Sequence, residues 1–456
     1  MRLGFFAATL VLLAGSCAPT AIDNDSLRSA ASAREPLRSG SPSKDVSALL
    51  SRPLTANSAA QIAVLNNRGL QATLDELGIA QARLHQARRL PNPTVDGAVR
   101  FEGGGPPELE VGAMIDVTEL LFLASRSGAA GAEVEAAKLD AVGSILDLTY
   151  NARRAFYAHQ AAAELLELRR TVLQAFDASA DLANRLREAG NITELDLANQ
   201  ESLFEEARLE FREAEVVLSA ARERLNALMG LWGRGTEWRT APRLPEIPEQ
   251  ELAIEKLESA SIARSLDLGI AQQRYAAAAK RANLARVEGL LPELKAGVSA
   301  ERADEWSVGP AFEIEVPLFY QGQGEVAVAK WEMRQQKNVY SDLTVTLRAA
   351  ARNAGARLAA KREAVLYYKR VLMPLKQKVL EQTQLEYNAM LVGLFQLLQA
   401  KRDQVETAAA YVDQQREYWI ARSNAEQLLA GRRHPEELTR ALSRGASRSG
   451  SGQELH

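Results

Sequence analysis

Cysteine is almost absent: the 456-residue chain has one, Cys17. A single thiol excludes an intramolecular disulfide and any cysteine-cluster zinc site. Histidine is scarce too. The four are His85, His159, His434 and His456, and none lies within metal-ligand spacing of another. No metal site within one chain is expected. No charge sign dominates, with 55 Lys and Arg against 58 Asp and Glu and a net charge of -3. That lacks the basic surplus of a nucleic-acid binder. There is no series of apolar runs of about 20 residues, which excludes a polytopic helical membrane protein. There is no phosphate-binding G-x-x-x-x-G-K loop and no nucleophile–base–acid set. No catalytic residue, no cofactor and no enzyme activity are expected.

The N-terminus is the first positive signal. A basic start at Arg2 leads into an apolar stretch from Leu3 to Ala14. It is too short to span a bilayer but suits an export signal. Leu13-Ala14-Gly15-Ser16 directly before Cys17 resembles the lipobox of bacterial lipoproteins. That resemblance implies acylation at Cys17 and sorting to the outer membrane. Residues 1–17 are thus expected to be a signal peptide. Residues 18–57 show no sustained period and predict an extended arm.

The body reads as long helices. Residues 133–189 predict one nearly unbroken helix, far longer than the globular mean of about 11–12 residues. Leu203, Ala207, Phe211, Ala214, Leu218, Ala221, Leu225 and Leu228 advance by fours and threes, the spacing of a coiled-coil seam. The two halves repeat. Leu77-Gly78-Ile79-Ala80-Gln81 recurs as Leu268-Gly269-Ile270-Ala271-Gln272, Leu90-Pro91 as Leu291-Pro292, and Leu121-Phe122 as Leu318-Phe319. Several matches in one order mark a duplicated unit of about 200 residues. The copies are 58–229 and 253–430, joined by a proline-containing linker at 230–252. Residues 431–456 predict a disordered tail. Pro374 predicts a kink in the second copy.

Each copy changes period once, at about 94–117 and about 293–316. Val95, Val99 and Phe101 alternate with polar residues, as do Val111 and Ile115, then Val298, then Phe312 and Ile314. A period of two marks strands with one apolar and one polar face. Runs of 8–10 residues are about the length of a tilted membrane-crossing strand. Soluble hairpins packed on a core would alternate in the same way. In a bilayer, four strands cannot close around a pore, and open edges leave backbone groups unpaired. Several copies would then share one barrel. The apolar set would face lipid, and Glu108, Glu110, Asp116, Glu301, Glu313 and Glu315 would line the bore.

The export signal, the duplicated helix–hairpin–helix unit, the Leu-Pro before each first strand and Val316-Pro317-Leu318-Phe319 after the last resemble TolC-type outer-membrane efflux proteins. So do the tip-like segments 188–197 and 387–398. Cys17 places the resemblance nearest the lipoprotein, heavy-metal-efflux branch. It implies an α+β membrane protein of mainly long coiled-coil helices with four transmembrane strands per chain. It implies a homotrimer with a twelve-stranded β-barrel in outer-membrane lipid and a periplasmic α-barrel. It implies a periplasmic adaptor and an inner-membrane pump of RND type as partners. The tip and gate candidates are Gly190, Thr193, Asp196, Gly393, Gln396 and Gln399. Some members close the tunnel with aspartate rings; Gln396 and Gln399 stand at the matching positions, so a carboxylate ring there is not expected. The cargo expected first is copper or a divalent cation. Efflux of drugs or small organic molecules stays open, as does a lipid-anchored periplasmic coiled-coil scaffold.

Overall fold

The apolar periods resolve into eleven α-helices and four strands among the described residues. The computed structural model describes residues 24–35, 42–101, 107–302, 305–316 and 318–433. In chain order these are α1 (Asn24–Ser32), α2 (Pro42–Leu50), α3 (Ala56–Asn66), α4 (Arg68–Ala87), β1 (Thr94–Arg100), β2 (Glu108–Asp116), α5 (Val117–Glu188) and α6 (Glu194–Met229). The second copy follows as α7 (Leu257–Arg264), α8 (Leu266–Glu288), β3 (Glu293–Arg302), β4 (Trp306–Glu315), α9 (Gln323–Tyr367), α10 (Met373–Asn388) and α11 (Leu394–Ala430). The duplication extends to the caps. Asn67 ends α3 and caps α4, accepting from Leu70 N at 2.9 Å; Ser265 ends α7 and caps α8, accepting from Leu268 N at 3.1 Å.

α5 is the spine. Its 72 residues span about 108 Å at 1.5 Å per residue. It starts sixteen residues before the expected Glu133, directly out of β2, because Asp116 ends the strand and caps the helix by accepting from Glu119 N at 2.8 Å. Beside the sheet the helices run in the order α4, α5, α8, α9. Toward the far end the order is α6, α5, α11, α10. Buried alanines along α5 let its neighbours approach closely: Ala141 beside Ile145, Leu146 and Tyr150, then Ala152 and Ala155, then Ala161. The expected seam on α6 is real: Ala207 and Leu225 are buried and its other members half-buried. Pro374 does not break its helix. A π-turn at Tyr368–Leu372 opens the backbone just before it, which relieves the clash of a proline ring with the preceding turn.

Two expectations are corrected. The arm at 18–57 is not extended over its described part: α1 and α2 lie in it, and Leu27 and Ala31 of α1 bury against α5. Nine-residue helices are marginal alone, so this packing is what sustains them. The tail expected at 431–456 is ordered at its start. Gly431 adopts φ 100° to end α11, and Arg432 pairs with Asp147 at 2.8 Å, Asp267 at 2.7 Å and Asp140 at 3.2 Å. Residues 434–456 lie outside the described residues, as does Cys17 with the whole signal region. In the linker, Trp238 and Leu244 are buried.

Candidate channel surface and tips

The four strands form one antiparallel sheet in the order β1-β2-β3-β4. The central pairing, β2 with β3, joins the two copies. Register decides which side chains share a face. Val95 lies opposite Ala113, Ala113 opposite Val298, and Val298 opposite Pro310; Ile115 pairs with Ala296 and Ala296 with Phe312. Val95, Val99, Val111, Ile115, Val298, Phe312 and Ile314 therefore stand on one face. Phe101 lies just beyond the end of β1. Most of these side chains are open to the surroundings, with Phe312 69% and Val298 56% exposed; Ile115 is half-buried. An apolar face this continuous needs a cover or an apolar solvent.

The other face is acidic. It carries Asp96, Glu108, Glu110, Asp116, Glu293, Glu301, Glu313 and Glu315 against Arg100 and Lys295. Both cations are engaged: Arg100 with Glu110 at 3.3 Å, and Lys295 with Glu313 at 3.1 Å and Glu293 at 3.3 Å. The carboxylates that remain give this face a strong negative excess. Small residues open its middle. Gly297 has no room for a Cβ, which would strike the Ala113 carbonyl oxygen. Both outer edges, β1 and β4, lack a strand partner among the described residues.

Below the sheet a groove of about 600 Å³ runs between α4, α5, α8 and α9. Its wall mixes Glu76, Arg83, Glu133, Asp140, Arg274 and Arg281, and Arg281 is ion-paired with Glu133. Among the described residues no three His, Cys, Asp or Glu side chains are grouped to hold a metal ion, and no helix is long and apolar enough to cross a membrane.

At the far end each long helix turns back sharply, and the two turns match. Gly190 takes φ 75° and Met390 takes φ 58° in the equivalent place. Thr193 caps α6 in a reciprocal box: its Oγ1 accepts from Asp196 N at 3.1 Å, and Asp196 Oδ2 accepts from Thr193 N at 3.0 Å. The Thr193 hydroxyl and backbone N–H hold the Asp196 carboxyl below its ordinary range. In the second turn Gln396 takes the same place, its Oε1 accepting from Gly393 N at 3.1 Å. Asp196 and Gln396 thus cap their own helices. Gln399 donates to Asp403 at 2.8 Å, and Asp403 pairs with Lys376 of α10 at 2.9 Å. Leu195, Met390 and Leu391 are exposed at the tips.

One side chain near the tips was invisible to sequence reasoning. Arg402 of α11 reaches Glu210 at 3.4 Å and Glu206 at 3.6 Å on α6, pairs with Glu406 at 3.0 Å, and lies over the Phe176 ring of α5. Only the tertiary order of the helices brings these together. The intrahelical Arg402–Glu406 spacing was the sole signal in the sequence.

A duplicated helix–hairpin–helix chain with one four-stranded sheet and a longest helix of about 108 Å has the fold of the TolC-type outer-membrane channels. No family model matches it. A protein similar in sequence is the cobalt-zinc-cadmium resistance protein CzcC of Cupriavidus metallidurans, 23% identical over 378 residues, which cover 79% of this chain and 86% of CzcC. The CmeC outer membrane channel of Campylobacter jejuni superposes with a TM-score of 0.72 at 14% identity, over 85% of this chain and 88% of CmeC. CusC, whose structures concern folding and transmembrane channel formation, superposes with a TM-score of 0.67 at 18% identity, over 83% of this chain and 92% of CusC.

Proposed function

We propose that this chain is the outer-membrane duct of a tripartite efflux system and that it exports heavy-metal cations. The observation that carries the reading is the sheet: one face apolar and exposed, the other rich in carboxylates, and two unpaired edges. Backbone groups at such edges cannot stay unpaired in lipid. Three copies, edge to edge, make a closed twelve-stranded barrel, within the size range of outer-membrane barrels. The apolar residues then face lipid and the carboxylates face a water-filled bore. Acidic walls favour cations over anions at close quarters. The long helices continue the bore as a periplasmic tunnel whose wall mixes both signs. Acylated Cys17 adds an anchor to the outer membrane.

The duct is passive, and its energy comes from an inner-membrane pump of RND type through a periplasmic adaptor. The tips at Gly190, Thr193 and Asp196, and at Gly393, Gln396 and Gln399, form the closing end. Opening there requires the Arg402 contacts between α11 and α6 to give way. The metal cargo draws support from the likeness to CzcC and from the acidic sheet face. Deleting the gene and testing growth on copper, zinc, cobalt, silver and several drugs checks it. Hypersensitivity to a metal group, restored by the intact chain, is expected. Sensitivity to drugs alone would overturn the cargo.

A further inference from the structure

Halfway down the helices, away from both sheet and tips, a second cavity of about 460 Å³ opens between the N-terminal arm, α5, α7 and α11. Four arginines line it, with only two carboxylates. Two of the arginines are answered. Arg153, 7% exposed, pairs with Glu35 at 2.6 Å, and Arg422 pairs with Glu251 at 2.8 Å and Glu426 at 2.9 Å. The other two are not. Among the described residues no carboxylate lies within ion-pair distance of Arg34 or Arg264. Arg34 is held in place by the carbonyls of Arg264 at 2.7 Å and Ala430 at 3.0 Å, which accept from its Nη1. Burial, and then the charge of Arg264 beside it, lower the basicity of Arg34. Those carbonyls are the last of α7 and α11, so two helix ends partly answer Arg34 through Nη1; an anion between Arg34 and Arg264 would relieve the like-charge contact that remains.

The same cavity has an aromatic wall. Tyr157 and Trp419 stack with centroids 5.0 Å apart, and the Trp419 indole N–H donates to the Pro245 carbonyl at 3.0 Å. The indole is thereby fixed, and both aromatic residues are half-buried. The volume falls in the range of small-molecule sites, about 300–1,000 Å³.

We propose that this cavity binds a small carboxylate that carries a ring, with the carboxylate between Arg34 and Arg264 and the ring against Trp419 and Tyr157. Guanidinium pairs match carboxylate geometry, and an aromatic wall accepts either the C–H face of a sugar or a flat aromatic ring. The site lies apart from the sheet and the tips and does not depend on the duct reading.

Isothermal titration of the full-length chain in detergent tests it, with N-acetylmuramic acid and benzoate as probes and N-acetylglucosamine and acetate as controls. Saturable binding of at least one ring acid is expected, at least tenfold tighter than either control. Preference for the first probe assigns a sugar acid, and for the second an aromatic acid. Arg264→Ala and Trp419→Leu should each weaken binding at least tenfold. Arg264 is exposed, so its variant should keep the helical circular dichroism of the parent. Absence of heat with both probes, acetate binding as tightly as they do, or unchanged binding in Arg264→Ala would overturn the proposal.

Discussion

Arginine at position 298 should block membrane assembly, while arginine at 299 should not. Val298 is on an inner strand, opposite Ala113 and Pro310, near the middle of β3. On the lipid side of a barrel an arginine at mid-depth costs about 2–4 kcal/mol. In the proposed barrel of three copies the three substitutions cost roughly 6–12 kcal/mol if the sites act independently. That rivals the stability of a whole domain, about 5–15 kcal/mol. Ser299 points to the other face, between Gly112 and Gly309, and a Cβ at Gly309 would meet nothing within 4 Å. In the proposed barrel an arginine there enters the acidic bore. The assay is the amount of chain recovered from outer-membrane fractions as a folded oligomer, read from gel mobility with and without heating. Val298→Arg should give almost none and Ser299→Arg near the parental amount. Equal recovery of both, or failure of both, would refute the assignment of faces.

Three other outcomes are expected. The first tip should be acid-sensitive and the second not. The Asp196 carboxyl titrates below its ordinary range, so its cap is intact above that range and is lost as pH falls through the lowered value. Amide protection around residues 190–197, corrected for the intrinsic exchange rate at each pH, should fall below about pH 4, and protection around 390–397 should not, because Gln396 has no proton to gain. His159 is buried beside Trp238, with ring centroids 4.8 Å apart; burial and then Arg222 push it down to about 4. The unfolded chain takes up a proton at its ordinary value near 6.5, so stability should decline from there to about pH 4, and His159→Leu should flatten that decline in thermal unfolding. Arg432→Ala leaves Asp140, Asp147 and Asp267 without their common partner, and thermal unfolding should report a loss of roughly 3 kcal/mol; Arg433→Ala should cost little.

Much of this architecture was legible because its period is simple. Alternation placed the hairpins at about 94–117 and 293–316, and the strands occupy Thr94–Arg100 with Glu108–Asp116 and Glu293–Arg302 with Trp306–Glu315. Internal repetition exposed the duplication, and glycine at 190 and 393 marked the turns. Other features depend on contacts that no local pattern encodes. α1 has few apolar residues and is held by burial of Leu27 and Ala31 against α5. The start of α5 is hidden because no glycine or proline separates it from β2, and Asp116 serves both elements. Asp196 and Gln396 read as gate residues from their position at the tips, yet their side chains are engaged in capping, a local bond that the Thr193-x-x-Asp196 spacing already encoded. The Arg402 and Arg432 clusters join residues far apart in the chain and become visible only once the helices are in order.

The direct test of a cation duct is the reversal potential of the purified oligomer in a planar bilayer under a potassium chloride gradient. An acidic bore predicts a potential near that of potassium, shifted toward zero when Glu110, Glu301 and Glu313 become glutamine. Anion selectivity, or a potential that the three substitutions leave unchanged, would contradict it.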